Sequence, residues 1–190
     1  MKKSLLNMKT INFYFVISSI CLLTLFSCKE PEARLPISKS KSAQINKSIA
    51  LNKALIEDEE SLIKEYIAKD TTNQYLNSSN GFWYSYKERH LEDTYHPKPG
   101  DLVTFTYSVS DLQDKIIYTE SEIGVLKYLV DQEDQLKGIR HAVKLLKKGE
   151  KASFIFPSHL AYGYIGDKNK IGKNQPIIMT IALTSIEIKN

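Results

Sequence analysis

The sequence is poor in cysteine: Cys21 and Cys28 are the only two in 190 residues, and none occurs in the 162 residues that follow Cys28. That excludes a disulfide framework and a thiolate metal site over most of the chain. Histidine is scarce as well. His90, His96, His141 and His159 show neither H-x-x-x-H nor H-E-x-x-H spacing, so zinc chemistry lacks ligands and no cofactor is expected. Eight glycines and six prolines are too few for a collagen-like or low-complexity chain. No charge surplus stands out either: 26 basic residues face 22 acidic, and setting aside Lys2, Lys3 and Lys9 leaves 23 against 22. Such a balance offers no footprint for a phosphate backbone, and nucleic acid is not an expected partner. A G-x-S-x-G elbow is missing around Ser158-His159, which argues against hydrolase chemistry. What the chain does have is 42% apolar residues, enough to bury one sizeable core.

The chain opens with three lysines, followed by residues 11–26 (INFYFVISSICLLTLF). This run falls short of the ~20 residues that span a bilayer as a helix, and its place after a basic segment fits a signal peptide over residues 1–27. Leu25-Phe26-Ser27-Cys28 resembles a bacterial lipobox, although Phe26 departs from the usual small residue. The resemblance implies lipidation at Cys28 and a membrane held through that lipid. Lys29 is not the aspartate that retains lipoproteins at the inner membrane, so the expected place is the outer membrane, on its periplasmic side. Residues 28–43, with Pro31 and Pro36 and no apolar period, read as the lipidated tether.

Over residues 44–70, Ile45, Ile49, Asn52, Ile56, Glu60, Ile63 and Ile67 recur at three or four, widened by Leu55, Leu62 and Tyr66. This pattern predicts an amphipathic helix, with Glu57 to Glu60 as a solvated acidic turn. The helix either packs on its own domain or serves as a homodimer or partner-docking helix. Polar residues 71–81 read as a boundary.

From residue 81 the period becomes two. Phe82, Tyr84 and Tyr86 alternate with polar residues, and Leu102 to Ser110 gives the clearest strand, with Val103, Phe105, Tyr107 and Val109 on one side. Lys115–Thr119, Leu126–Val130, Ala152–Phe156 and Ile177–Ile188 are further strands. Leu136, Ile139, Val143 and Leu146 form one face of a short helix, capped by Gly149. The class is α+β: an antiparallel sheet of about five strands wrapped on one short helix, preceded by the amphipathic helix.

Six segments in register carry a family resemblance over residues 81–190. Pro99-Gly100-Asp101 with Val103, Phe105 and Tyr107 is similar to a P-G-D-x-V-x-V-x-Y strand. Lys137-Gly138 and Gly149-Glu150-Lys151 resemble the family's helix segment ending in G-E-K. Phe156-Pro157-Ser158-His159-Leu160-Ala161-Tyr162-Gly163 is similar to I-P-P-E-L-A-Y-G, and the last strand to L-x-F-x-V-E-L. The chain thus resembles FKBP-type peptidyl-prolyl cis-trans isomerases. With its lipobox and preceding helix it looks most like the gliding-motility FKBP-type lipoproteins (GldI proteins) of Bacteroidetes.

The resemblance implies an isomerase acting on X-Pro segments of exported proteins, or a binding module using the same groove without turnover. Amide resonance sets a barrier of ~18–20 kcal/mol to rotation, and no bond is made or broken in crossing it. A dry apolar slot and a hydrogen-bond donor suffice. Carried over position by position, the slot consists of Tyr107, Tyr118, Tyr128, Leu136, Ile139, Tyr162, Ile171 and Met179. The Tyr162 hydroxyl and the Leu136 backbone N–H would each bind a substrate carbonyl. Tyr107, Tyr128 and Met179 would serve equally well as core in any such sheet. Three positions depart from the pattern: Thr119 stands for an aspartate, Leu126 for a phenylalanine and Ile139 for the tryptophan of the floor. Isoleucine leaves either a wider slot or one refilled by neighbours.

Overall fold

The computed structural model describes residues 38–92 and 94–189. The expected signal peptide, Cys28 and the first part of the tether lie outside them. The chain divides into two compact units, Met1–Ala43 and Gln44–Asn190, and the described side chains belong to the second.

Nine residues with strict alternation make β3 (Leu102–Ser110) the spine of the domain, burying Val103, Phe105, Tyr107 and Val109 while their neighbours stay half-exposed. It is preceded by α1 (Ser38–Lys69), β1 (Leu76–Asn77) and β2 (Trp83–Glu88). It is followed by β4 (Ile116–Tyr118), α2 (Glu120–Ile123), β5 (Leu126–Leu129), α3 (Lys137–Ala142), β6 (Lys151–Phe156) and β7 (Ile177–Glu187). All pairings are antiparallel, in the order β1-β2-β6-β7-β3-β4. β5 pairs with Leu102 to Phe105 and β4 with Val109 and Ser110, so two short strands share one long one. The α+β class and antiparallel sheet stand as expected, with seven strands rather than about five.

The inner face of the sheet carries the main core. Phe82, Phe105, Phe154 and Phe156 meet Ile139 and Ala142 of α3, Val143 of the 3₁₀ turn Val143–Leu145 that continues it, and Leu146 just beyond. Gly138 allows this close approach, since a Cβ there would lie 2.8 Å from the Phe156 ring. Gly149 does not cap the helix. Its φ of +84° serves a later turn, where its N–H donates to the Leu183 carbonyl at 2.7 Å. The helical turn ends earlier because Leu146 is already extended.

The outer face is covered by α1. Ile63 is fully buried against Ile155 and Ile178, with Tyr66, Ile67, Tyr75, Trp83 and Leu112 around them. Burying one such isoleucine contributes roughly 1.5–3 kcal/mol. Only the C-terminal half of α1 is used this way, while Ile45, Ile49 and Leu51 are more than half exposed. The helix begins at Ser38, inside the expected tether, and the expected boundary at residue 81 falls within the sheet because β1 pairs with β2. The acidic turn is also corrected: Glu59 is buried, because it faces Ser158 rather than water. Among the described residues, no helix is long and apolar enough to cross a membrane.

Candidate active site

Strand register gathers the expected wall. Val109 lies opposite both Tyr118 and Met179, Phe105 opposite Leu126, and Val103 opposite Tyr128, so these side chains converge around Tyr107. Tyr162, Leu136, Ile139 and Ile171 arrive from α3 and the loop before β7. Every expected side chain except Thr119 belongs to the same apolar cluster.

Depth separates them. Ile139 and Met179 are fully buried, Tyr128 and Ile171 nearly so, and Tyr107 retains 8% exposure. Tyr118, Leu126, Leu136 and Tyr162 are half-buried and form the rim. Ile139 is therefore packed within the core cluster and not open to solvent. Tyr128 lies beneath the site, with its hydroxyl accepting from the Asp131 N–H at 2.9 Å.

Thr119 has a local structural role in this state. It is the N-cap of α2, its Oγ1 accepting from the Glu122 N–H at 3.2 Å while its own N–H donates to Glu122 Oε2 at 2.8 Å. This reciprocal capping box was readable as Thr119-Glu120-Ser121-Glu122. In place of the aspartate the family pattern puts at 119, a carboxylate comes from elsewhere: the Tyr118 hydroxyl donates to Asp167. Asp167 also accepts from the N–H groups of Asn169 and Ile171, both at 2.8 Å. Burial opposes its ionisation, but these donors outweigh burial and hold its carboxyl below the usual range. Lys170 completes the clasp, 4.6 Å from the Tyr118 ring centroid and 2.8 Å from Glu122 Oε1. Sequence reasoning missed Asp167, since nothing in a loop reading GDKNK names a partner 49 residues earlier.

Tyr162 is fixed through its neighbours. The N–H groups of Ala161 and Gly163 both donate to the Ser158 carbonyl, at 2.9 and 2.8 Å. Burial, reinforced by the Tyr107 hydroxyl, pushes the Tyr162 hydroxyl well above the ordinary phenol range. Tyr107 is likewise raised by burial. Tyr162 is thus a neutral donor at physiological pH. The Leu136 N–H donates to its neighbour Gln135 Oε1 at 2.9 Å. Beside it a cavity of about 390 Å³ opens between Gln135, Leu136, His159 and Ala161. Among the described residues, no three His, Cys, Asp or Glu side chains are grouped as a metal would require.

Comparison with known proteins gives this geometry a family. Residues 93–184 match the family described as FKBP-type peptidyl-prolyl cis-trans isomerase. A protein of Neisseria meningitidis serogroup B (strain MC58), "Probable FKBP-type peptidyl-prolyl cis-trans isomerase FkpA", is 27% identical over 150 residues, 79% of this chain and 53% of that protein. This chain thus spans about half the length of that curated relative. The crystal structure of FkpA from Escherichia coli is similar with a TM-score of 0.56 at 22% identity, over 90% of this chain and 80% of the other. A peptidyl-prolyl cis-trans isomerase structure from Pseudomonas syringae pv. tomato gives 0.56 at 17% identity, over 72% and 96%. At such identities the structures establish the fold, while the family match rests on the sequence of the sheet and the Tyr162 loop. Over residues 93–184, just under half of its length, the chain carries an FKBP-type peptidyl-prolyl cis-trans isomerase family domain.

Proposed function

We propose that this chain is a peptidyl-prolyl cis-trans isomerase that acts on X-Pro segments of exported envelope proteins. The observation that carries the reading is Tyr162, a half-buried side chain with a neutral hydroxyl in an apolar cluster shared with Tyr107, Tyr118, Leu126 and Leu136. A proline ring seated on that rim would leave water. The Tyr162 hydroxyl would then donate to a substrate carbonyl, and apolar surroundings favour the twisted, less polar amide over the planar one. No proton is transferred and no covalent intermediate forms. Leu136 would offer its N–H once Gln135 swings aside.

The test is cis-to-trans isomerisation of short X-Pro peptides by the purified chain, compared with Tyr162→Phe. The variant should lower kcat/KM about three- to tenfold, the worth of one neutral hydrogen bond. A well-folded chain that accelerates nothing would overturn turnover.

A second reading has its own support. The buried Ile139 and the occupied Leu136 N–H suit a groove that grips proline-bearing or unfolded partners without turnover. The proposed setting is a lipoprotein anchored through Cys28 to the outer membrane on its periplasmic side, supported by the lipobox-like Leu25-Phe26-Ser27-Cys28. A gliding-motility role rests on resemblance to the GldI proteins. The exposed Ile45, Ile49, Leu51 and Leu62 support homodimer or partner docking through residues 44–70. Unchanged membrane fractionation of Cys28→Ala would overturn the anchor, and a monomer by light scattering at high micromolar concentration would overturn the dimer.

A further inference from the structure

Glu59 lies in the packed half of α1 with 6% of its surface exposed. Both carboxylate oxygens are committed to one residue: the Ser158 N–H donates to Oε2 at 2.6 Å and the Ser158 hydroxyl to Oε1 at 2.7 Å. Burying a carboxylate sacrifices hydration, which only short charge-assisted bonds of this kind offset. Ser158, itself 4% exposed, opens the 3₁₀ turn Ser158–Leu160. Its carbonyl receives the N–H groups of Ala161 and Gly163, so the backbone on both sides of Tyr162 hangs from it. The Gly163 carbonyl in turn accepts from the Asn174 N–H at 3.0 Å, tying in the loop that carries Ile171. In the I-P-P-E-L-A-Y-G segment that this stretch resembles, position 158 is a proline. A proline would offer neither an N–H nor a hydroxyl. Serine at this position supplies both donors.

We propose that Glu59 is a positioning residue of the isomerase site: through Ser158 it fixes the turn that presents the Tyr162 hydroxyl, which makes α1 part of the working unit. Its catalytic consequence rests on the isomerase reading above, whereas the latch itself does not.

Glu59→Gln and the milder Ser158→Ala, made in the full chain, test this with two readouts. Amide hydrogen exchange at Ala161 and Gly163 should quicken at least about tenfold while β7 amides stay as they were, because only the local opening changes. In Glu59→Gln, kcat/KM should fall by up to the about three- to tenfold that Tyr162→Phe costs, but less than about twofold when Tyr162 is already phenylalanine, as coupled residues require. Unchanged exchange at both amides overturns the latch. Equal losses in the two backgrounds overturn positioning, since a general structural role would ignore the Tyr162 hydroxyl. A native chain without activity overturns the isomerase reading and with it the catalytic part, and the exchange experiment still decides the latch.

Discussion

The Tyr118 hydroxyl is held by Asp167, from a loop 49 residues further along the chain, and the same loop lays Lys170 over the Tyr118 ring. One rim residue is thus fixed edge and face by a single loop. Asp167→Ala should release Tyr118 and, by freeing the Asn169 and Ile171 N–H groups, loosen Ile171 as well. We expect stability to fall by about 1–2 kcal/mol and kcat/KM about three- to tenfold, mostly through KM. Urea titration and a peptide assay check this. Tyr118→Phe, which keeps the ring, should show the smaller loss.

On the proposed reading, Gln135 competes with substrate for the Leu136 N–H, to which it is bound at 2.9 Å. Gln135→Ala removes the competing acceptor without touching the apolar cluster, so KM for an X-Pro peptide should drop about two- to fivefold, with kcat little changed, as expected when one weak hydrogen bond no longer has to break. A rise in KM would show that the Gln135 amide itself contacts the peptide.

The site should be insensitive to pH where its hydroxyls stay neutral. Tyr107 and Tyr162 are both raised by burial above the ordinary phenol value of 10.0, so kcat/KM should stay flat from about pH 6 to 9. Stability behaves differently in acid. The side-chain amide of Asn73 is the main cause that lowers Asp70 from 3.8 to about 2, and Lys170 lowers Glu122 from 4.5 to about 2. Folded-state values below the unfolded ones mean stabilisation present above about pH 4.5 and lost as pH falls toward 2. Asp70→Asn should flatten the slope of unfolding stability against pH in that window.

Gly138→Ala tests the contact of α3 with the sheet. The added methyl would meet Phe156 ring carbons at 2.8 Å and the Leu160 carbonyl at 3.0 Å. Neither neighbour is a flexible chain end, so the urea midpoint should drop by the equivalent of about 1–3 kcal/mol.

Local rules made much of this molecule legible. The alternation of Val103, Phe105, Tyr107 and Val109 found β3 to the residue, since a strand buried on one face writes period two. Two motifs of the family resemblance, P-G-D and G-E-K, sit at tight turns that the structure reveals. Asp101 accepts from the Lys98 N–H and Glu150 from the Lys147 N–H, each closing its own tight turn. Long-range polar pairing left no such trace. Glu59 reads as one more acid in the run Glu57 to Glu60 until Ser158, 99 residues on, is seen beneath it. β1 was hidden because Leu76 and Asn77 are exposed and held by backbone pairing with β2 alone. At the floor the sequence left two outcomes open, because a substitution such as Ile139 shows which atoms are missing, not which neighbours move in.

Because Ile63 and Glu59 clamp one half of α1 to the sheet, the other half projects as a stiff boom rather than a slack leash. From Gln44 to Leu51 it reaches roughly 10 Å at the rise of an α-helix. Whatever grips that end dictates both the stand-off and the compass bearing of the proline groove.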